Sequence, residues 1–287
     1  MKECTVKDKL NNVKNMKYSV LMTVYSGADP NHFYQAVKSM ICQTIIPEQI
    51  VISVDGKLTK SLEKIICYYK NKYKNIITVV RGPKKGNWYA ANKGIKECRN
   101  EFIARMDSDD ISCSMRCERE LFELLSKKLD IVGSFASEFE NDTNNIISVR
   151  RVPLKHSEIV KYAKKRNPFN HPSIMFRKHM AVKAGSYSSM KRCEDYDFAV
   201  KMIMSGAKCG NIPECLLFYR LTKGTFNRRK NFNNTKGFIY VRFLNWRRGF
   251  CSFWDFLSIS ALQTALFITP VCVTEIFYNR ILRGKQK

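Results

Sequence analysis

In Met106-Asp107-Ser108-Asp109-Asp110 two carboxylates stand one residue apart, directly after a strand-like run over 101–106. Carboxylates so placed can hold Mg²⁺ or Mn²⁺ through oxygen. An ion held there bridges phosphate oxygens and neutralises charge on a departing group. An acidic loop that merely favours the N-terminus of the next helix has the same composition, so placement in the fold decides between the two. Asp55, in Val54-Asp55-Gly56, ends a β-branched run over 49–54. Glu194 and Asp195 open a helix-spaced segment. A carboxylate there either takes the proton of a hydroxyl nucleophile or stabilises a first helical turn. His171, beside Pro172, is either a satisfied turn histidine or a pocket residue; Trp88 and Tyr89 are either helix core or stacking faces.

These residues need elements to position them. Tyr18–Tyr25 is an apolar run of strand length, and 31–41 follows with Phe33, Ala36, Val37, Met40 and Ile41 at helix spacing. Strands are expected over 49–54, 76–80 and 101–106, with helices over 58–74 and 88–98. Such alternation gives a mainly parallel sheet with right-handed crossovers, whose ligands bind at the carboxyl ends of the strands. Asp55 and Asp107 both fall at such ends. Further on, helices are expected over 115–125 and Glu194–Met204, the latter closed by Gly206, and strands over Ile131–Phe139 and 146–151.

Taken together, several segments resemble the donor-binding half of family 2 glycosyltransferases. They are V-x-x-x-V-Y-S-G from Val20, Gln43-Thr44, Asp55-Gly56, Gly86-Asn87, A-x-N-x-G from Ala90 to Gly94, and F-I-A-R-M-D-S-D-D from Phe102 to Asp110. The runs Asn170-His171-Pro172-Ser173-Ile174-Met175-Phe176-Arg177 and Cys193-Glu194-Asp195-Tyr196-Asp197 resemble the acceptor half, so the likeness covers about 18–222. The branch that matches best resembles bacterial enzymes of exopolysaccharide, lipopolysaccharide or capsule synthesis.

The resemblance implies a glycosyltransferase-A α/β fold, a nucleoside-diphosphate sugar as donor (a UDP-sugar favoured), a Mn²⁺ or Mg²⁺ ion on Asp107 and Asp109, and inversion at the anomeric carbon. Donor contacts are implied for Tyr25, Asp55, Gly86, Asn87, Asn92, Arg105, Asp107, Ser108 and Asp109, with Asp55 at the base. Asp195 matches the general base, with Glu194 its nearest competitor. Ala91 departs from the Arg that many members carry, which removes one phosphate contact that Arg81, Lys84 or Lys85 could replace. Thr23 and Ser114 stand where many have Pro.

The 287 residues divide into a tail over 1–17, a catalytic domain over 18–222 and a C-terminal segment over 223–287. Lys and Arg outnumber Asp and Glu by 50 to 25, so an anionic partner is expected. A nucleic-acid-binding module would explain that charge but not an acidic cluster at a strand end, and it lacks the usual signatures; nucleic acid is not expected as a partner. A nucleotidyltransferase would need a glycine-rich phosphate loop after the first strand, which Ser26-Gly27-Ala28-Asp29 does not match. The 11 cysteines include no C-x-x-C pair and read as reduced thiols. The first 17 residues have no apolar core, so no signal peptide is expected and the site should face the cytoplasm.

Residues 227–248 carry seven Lys or Arg with interleaved aromatics, and 256–274 is 19 residues without a charge. The polar residues within that stretch make a poor spanning helix. It is expected to lie in the interface of an anionic membrane, with a span or packing on the protein as alternatives. The acceptor is then expected to be a glycan or lipid-linked glycan at the cytoplasmic face of the membrane. The oligomeric state is left open.

Overall fold

A computed structural model describes Val13 and residues 15–190, 192–221 and 232–269. Tyr18–Tyr25 forms β1, buried at every position but its last. Pro30–Ile41 (α1) starts at Asp29, whose carboxylate accepts the N–H groups of Asn31 and His32 at 2.8 and 3.0 Å, and buries Phe33, Ala36, Val37 and Met40. Gln49–Asp55 (β2) is buried throughout. Lys60–Lys72 (α2), Ile77–Gly82 (β3), Asn87–Glu97 (α3) and Phe102–Met106 (β4) follow. Strands β3, β2, β1 and β4 lie side by side and parallel, with Tyr25 opposite Asp55, Asp55 opposite Gly82, and Met22 opposite Met106. Parallel strands put all their carboxyl ends on one edge, so Tyr25, Asp55 and the Asp107 cluster arrive there together.

The second half completes one nine-stranded sheet among the described residues. Ile111–Ser112 (β5), Arg116–Ser126 (α4), Ile131–Phe139 (β6), Ile146–Arg150 (β7) and His156–Ala163 (α5) lead to a 3₁₀ turn at His171–Ser173. Met175–Arg177 (β8), Lys178–Lys183 (α6), Glu194–Met204 (α7) and Cys209–Arg220 (β9) follow. The sheet continues from β4 to β8, β6, β9 and β5, with β7 on β6. Strand β8 lies antiparallel between β4 and β6, whereas β9 runs parallel to β6. Helix α5 and strand β9 go beyond the sequence expectation. Gly210 and Pro213 hide β9, and the pairing accommodates them: its register shifts at Ser134–Phe135–Ala136, so the residues around Pro213 are skipped.

Two helices, Phe232–Arg247 (α8) and Phe253–Ile268 (α9), form a hairpin that docks on α7. Val241 packs with Met190, Cys193, Tyr196 and Val200. At Gly237 a Cβ atom would lie 2.8 Å from Arg192 Cβ, so glycine is what lets α8 approach the loop that leads into α7. Arg248 closes the contact on the buried Asp197, Nη1 to Oδ1 at 2.5 Å. The outer face of the hairpin leaves Tyr240, Phe243, Phe253, Trp254, Leu257, Leu262 and Ile268 exposed. No described helix is long and apolar enough to cross a membrane. The expected uncharged stretch over 256–274 is helical through Ile268; its residues 270–274, residues 227–231 of the basic stretch and most of the tail over 1–17 lie outside the described residues.

Behind the site, Arg116 is wholly buried and donates to Pro172 O at 2.7 Å and Arg105 O at 3.0 Å, fastening the 3₁₀ turn to β4. Glu120 lies beside it, Oε1 3.6 Å from Arg116 Nε. Burial raises the Glu120 carboxyl to about 8 in spite of Arg116. The folded chain therefore holds a proton that the unfolded chain has released, and stability falls as pH rises from about 5 towards 8. Glu120→Gln is expected to flatten that decline. Arg116→Met, which strands two buried carbonyls, should cost about 2–5 kcal/mol. Urea midpoints across that pH range check both.

Candidate active site

Asp55 turns its carboxylate back on the chain after β3: Oδ1 accepts from the N–H of Lys85 at 2.8 Å and of Gly86 at 3.0 Å. Gly86 has φ +104, a left-handed conformation that suits glycine, and it opens α3. One carboxylate thus shapes the loop over 83–86 and places Asn87 and Trp88 at the edge. Tyr25, half exposed at the end of β1 and opposite Asp55 in the sheet, lays its ring over Gly27, where a Cβ atom would lie 2.5 Å from Tyr25 Cε2.

Asp107 is held from below. Arg105, fully buried, donates from Nη2 to Asp107 Oδ1 at 2.8 Å and to Thr23 Oγ1 at 2.8 Å, and from Nη1 to the carbonyls of Leu21 and Met106 at 3.0 and 2.7 Å. Thr23 Oγ1 in turn donates to Asn87 Oδ1 at 2.6 Å, and Asn87 Nδ2 donates to Glu194 Oε1 at 3.0 Å. A continuous polar line therefore runs from Asp107 on β4 through β1 and α3 to the start of α7. Thr23 supplies its middle link.

On the far side Cys193 adopts φ 63, ψ 21 just before α7, a left-handed conformation disfavoured for a side chain. That turn sets Glu194 and Asp195 in the first helical turn. Asn167 Nδ2 donates to Asp195 Oδ2 at 2.9 Å. Burial, with repulsion from Glu194 and Asp107, raises Asp195 to about 6, against the Asn167 hydrogen bond. His171 is buried and meets Tyr187 Oη at 2.8 Å through Nε2; burial first and Arg105 second lower it to about 4, so its ring is neutral at physiological pH.

Of the residues expected at the site, Tyr25, Asp55, Asn87, Asp107, Ser108, Asp109, Glu194 and Asp195 gather around this edge. Gly86 is there through its backbone. Arg105 lies beneath the edge and supports Asp107. Asn92 is turned away: its Oδ1 accepts from Tyr187 N at 2.8 Å and its Nδ2 donates to Tyr187 O at 2.7 Å, so the amide braces the loop before α7. Arg81, considered as a replacement phosphate contact, is occupied by a two-pronged pair with Glu63 at 2.7 Å. Arg220, at the end of β9, was not foreseen. Its N–H donates to the buried Asp110 Oδ1 at 2.9 Å and its Nε to Asp109 O at 2.8 Å. A cation at a strand end facing three acids was the available signal, but β9 itself was hidden.

Among the described residues no group of three or more His, Cys, Asp or Glu converges as a closed metal cage. Asp107 and the exposed Asp109 form an open pair of oxygen donors. That set fits Mg²⁺ or Mn²⁺ completed by phosphate and water, and does not fit a caged structural ion.

The sequence description "Glycosyl transferase family 2" matches residues 19–185. An Escherichia coli UDP-Gal:alpha-D-GlcNAc-diphosphoundecaprenol beta-1,3-galactosyltransferase is 29% identical over 93% of this chain and 97% of its own length. The amylovoran biosynthesis glycosyltransferase AmsE of Erwinia amylovora is 28% identical over 93% of this chain and 100% of its own. Among solved structures, a Pyrobaculum calidifontis mannosyltransferase in complex with GDP-Man and Mn²⁺ superposes with a TM-score of 0.63 at 14% identity, covering 95% of this chain and 78% of the other.

The Asp55 hydrogen bonds act before any ligand arrives. Asp55→Ala is expected to lower stability by about 1–3 kcal/mol through the two N–H groups it strands. Asp55→Asn, which keeps an accepting oxygen, should cost less than half of that. Unfolding of ligand-free protein measures the difference.

Proposed function

The chain belongs to glycosyl transferase family 2, and we propose that it is a metal-dependent, inverting member that moves a sugar from a nucleoside-diphosphate sugar to a hydroxyl of a lipid-linked glycan in surface polysaccharide synthesis. The observation that carries this reading is the polar line Asp107–Arg105–Thr23–Asn87–Glu194. It ties the strand-end carboxylates of one half to the start of α7 in the other through side chains in direct contact. The E. coli relative, named for a UDP-sugar and a diphosphoundecaprenol acceptor, supports a UDP-sugar donor and a lipid-linked acceptor.

On this reading Asp55 and Tyr25 meet the nucleoside, and the edge from Gly86 to Asn87 lies along the diphosphate. Asp107 and Asp109 would hold Mn²⁺ or Mg²⁺, which neutralises the nucleoside diphosphate as it leaves. Arg105 fixes Asp107 and keeps it from repelling its acidic neighbours. Asp195 takes the proton of the acceptor hydroxyl, which attacks the anomeric carbon from the face opposite the departing diphosphate. A base with a value near 6 is largely ionised at neutral pH yet basic enough to act. Glu194, tied to Asn87, orients the cleft and is the second carboxylate able to serve.

Position at the membrane follows from the hairpin of α8 and α9. We read it as a peripheral anchor for the cytoplasmic face: its outer face is apolar with an exposed Trp254, and its inner face is fastened to α7. The catalytic unit over 18–222 and this segment then work as one body.

Three outcomes test the proposal. Asp109→Ala should lose metal-dependent donor binding in a titration with a panel of nucleotide sugars; unchanged affinity would remove the metal assignment. Asp195→Asn should bind donor normally and turn over about 10²–10⁴ more slowly. In the wild type kcat/KM should climb with pH up to about 6 and level off above, because the protonated carboxyl accepts nothing below that value, and this limb should vanish in the variant. Trp254→Glu combined with Leu257→Glu should leave the protein in the supernatant when vesicles of acidic lipid are sedimented; retention on them would rule out the hairpin as anchor.

A further inference from the structure

Helix α8 carries a buried cation, Arg242, with no counter-charge among the described residues. Arg242 is 5% exposed, yet among the described residues its only hydrogen bond is from Nη2 to the carbonyl of Lys165 at 3.1 Å, and Nε and Nη1 have no hydrogen-bond partner. Its guanidinium also lies over the Phe238 ring at 5.6 Å. Among the described residues no carboxylate pairs with it, in contrast to Arg248, which has Asp197. The charged group that bears on it most directly is another cation, Arg166, which stands exposed with Lys165 in the loop after α5. Asp255, at the start of α9, is engaged by Ser252. Asn245, three residues on from Arg242 along α8, is also fully buried, with its amide beside Tyr196. A buried guanidinium beside a second cation, with donors to spare, carries a desolvation cost that a bound anion offsets.

The position says which anion. Arg242 is bonded to the carbonyl of Lys165, two residues before Asn167, whose amide donates to Asp195. We propose that Arg242, with Arg166 and Lys165 at its rim, binds the phosphate group that joins the acceptor sugar to its lipid. The inference rests on the transferase reading above and assigns α8 as the subsite for the acceptor's anion. Arginine offers several N–H donors in a fixed plane, which suits phosphate oxygens. The same helix carries the apolar outer face, so the phosphate is captured where the lipid enters. Anionic membrane headgroups share the phosphate chemistry, and the test separates the two sources.

The experiment titrates the full chain, in an Asp109→Ala background free of divalent metal, with an alkyl diphosphate and with the matching alkyl alcohol. The diphosphate should bind to saturation and the alcohol at least tenfold more weakly. Arg242→Gln should weaken diphosphate binding about tenfold or more, and Arg242→Lys should recover part of it. Should Arg242→Gln unfold, the double variant Lys165→Gln and Arg166→Gln, at exposed positions, carries the test and should lose several-fold. Equal binding of diphosphate and alcohol, or no effect of the double variant, overturns the proposal. So does a double variant that leaves phosphatidylglycerol vesicles yet binds the diphosphate normally, since the anion is then the membrane's. Metal-dependent donor binding by the chain with Asp109 intact is measured separately, so the transferase reading stands or falls on its own result.

Discussion

Arg105 lies wholly inside the protein, donating to the backbone of Leu21 and Met106, to Thr23 and to Asp107. Three acids stand within four residues at the edge of β4, and uncompensated they repel one another. The effect is visible in Asp110, whose carboxyl is driven well above the usual range by burial and then by Asp109 and Asp107. Arg105 from below and Arg220 from the side balance this charge, and each also makes a bond to backbone that fixes its direction. The acidic edge can exist because two guanidinium groups are built into the sheet that carries it.

That arrangement constrains the remainder of the fold. Arg116 bonds to the carbonyl of Arg105 and to that of Pro172, so the strand under the acids and the turn at His171 are located by one side chain. Asn92 bonds the backbone of Tyr187, and Tyr187 meets His171, so α3 sets the loop that leads to α7. The two carboxylate groups of the site come from residues about ninety apart in the chain, and they keep register through these few polar contacts rather than through a shared element.

The parallel half was legible because each element keeps one period for its full length: β1 and β2 are apolar throughout, and α1 and α2 bury one face. Parallel pairing then places the strand-end acids without further information. The second half was less legible for two reasons. Strand β9 contains a glycine and a proline that only the register shift against β6 makes tolerable. The partners that give Arg220 and Asn167 their roles lie far away in sequence; the bond from Arg220 to Gln35 spans 185 positions. Residue type alone also did not reveal that Asn92 braces the loop before α7, since an amide near a donor site and an amide bracing a loop look alike in a motif.

The charge of +25 has a structural logic once the elements are placed. A site that receives anionic substrates has to attract them without neutralising its own carboxylates. The fold does this by separating the charges: buried arginines bond the acids directly, while exposed Lys84 and Lys85 flank the Asp55 turn and Lys165 and Arg166 flank α7. Exposed cations act over roughly 8–10 Å before salt screens them, far enough to draw an anion in and too weakly held to collapse onto Asp195. Helix α8 joins the two functions, since it carries the buried Arg242 on its inner side and apolar residues on the face turned away. An acceptor with a phosphate next to a hydrocarbon chain has its charges and its oil in the same order as that helix.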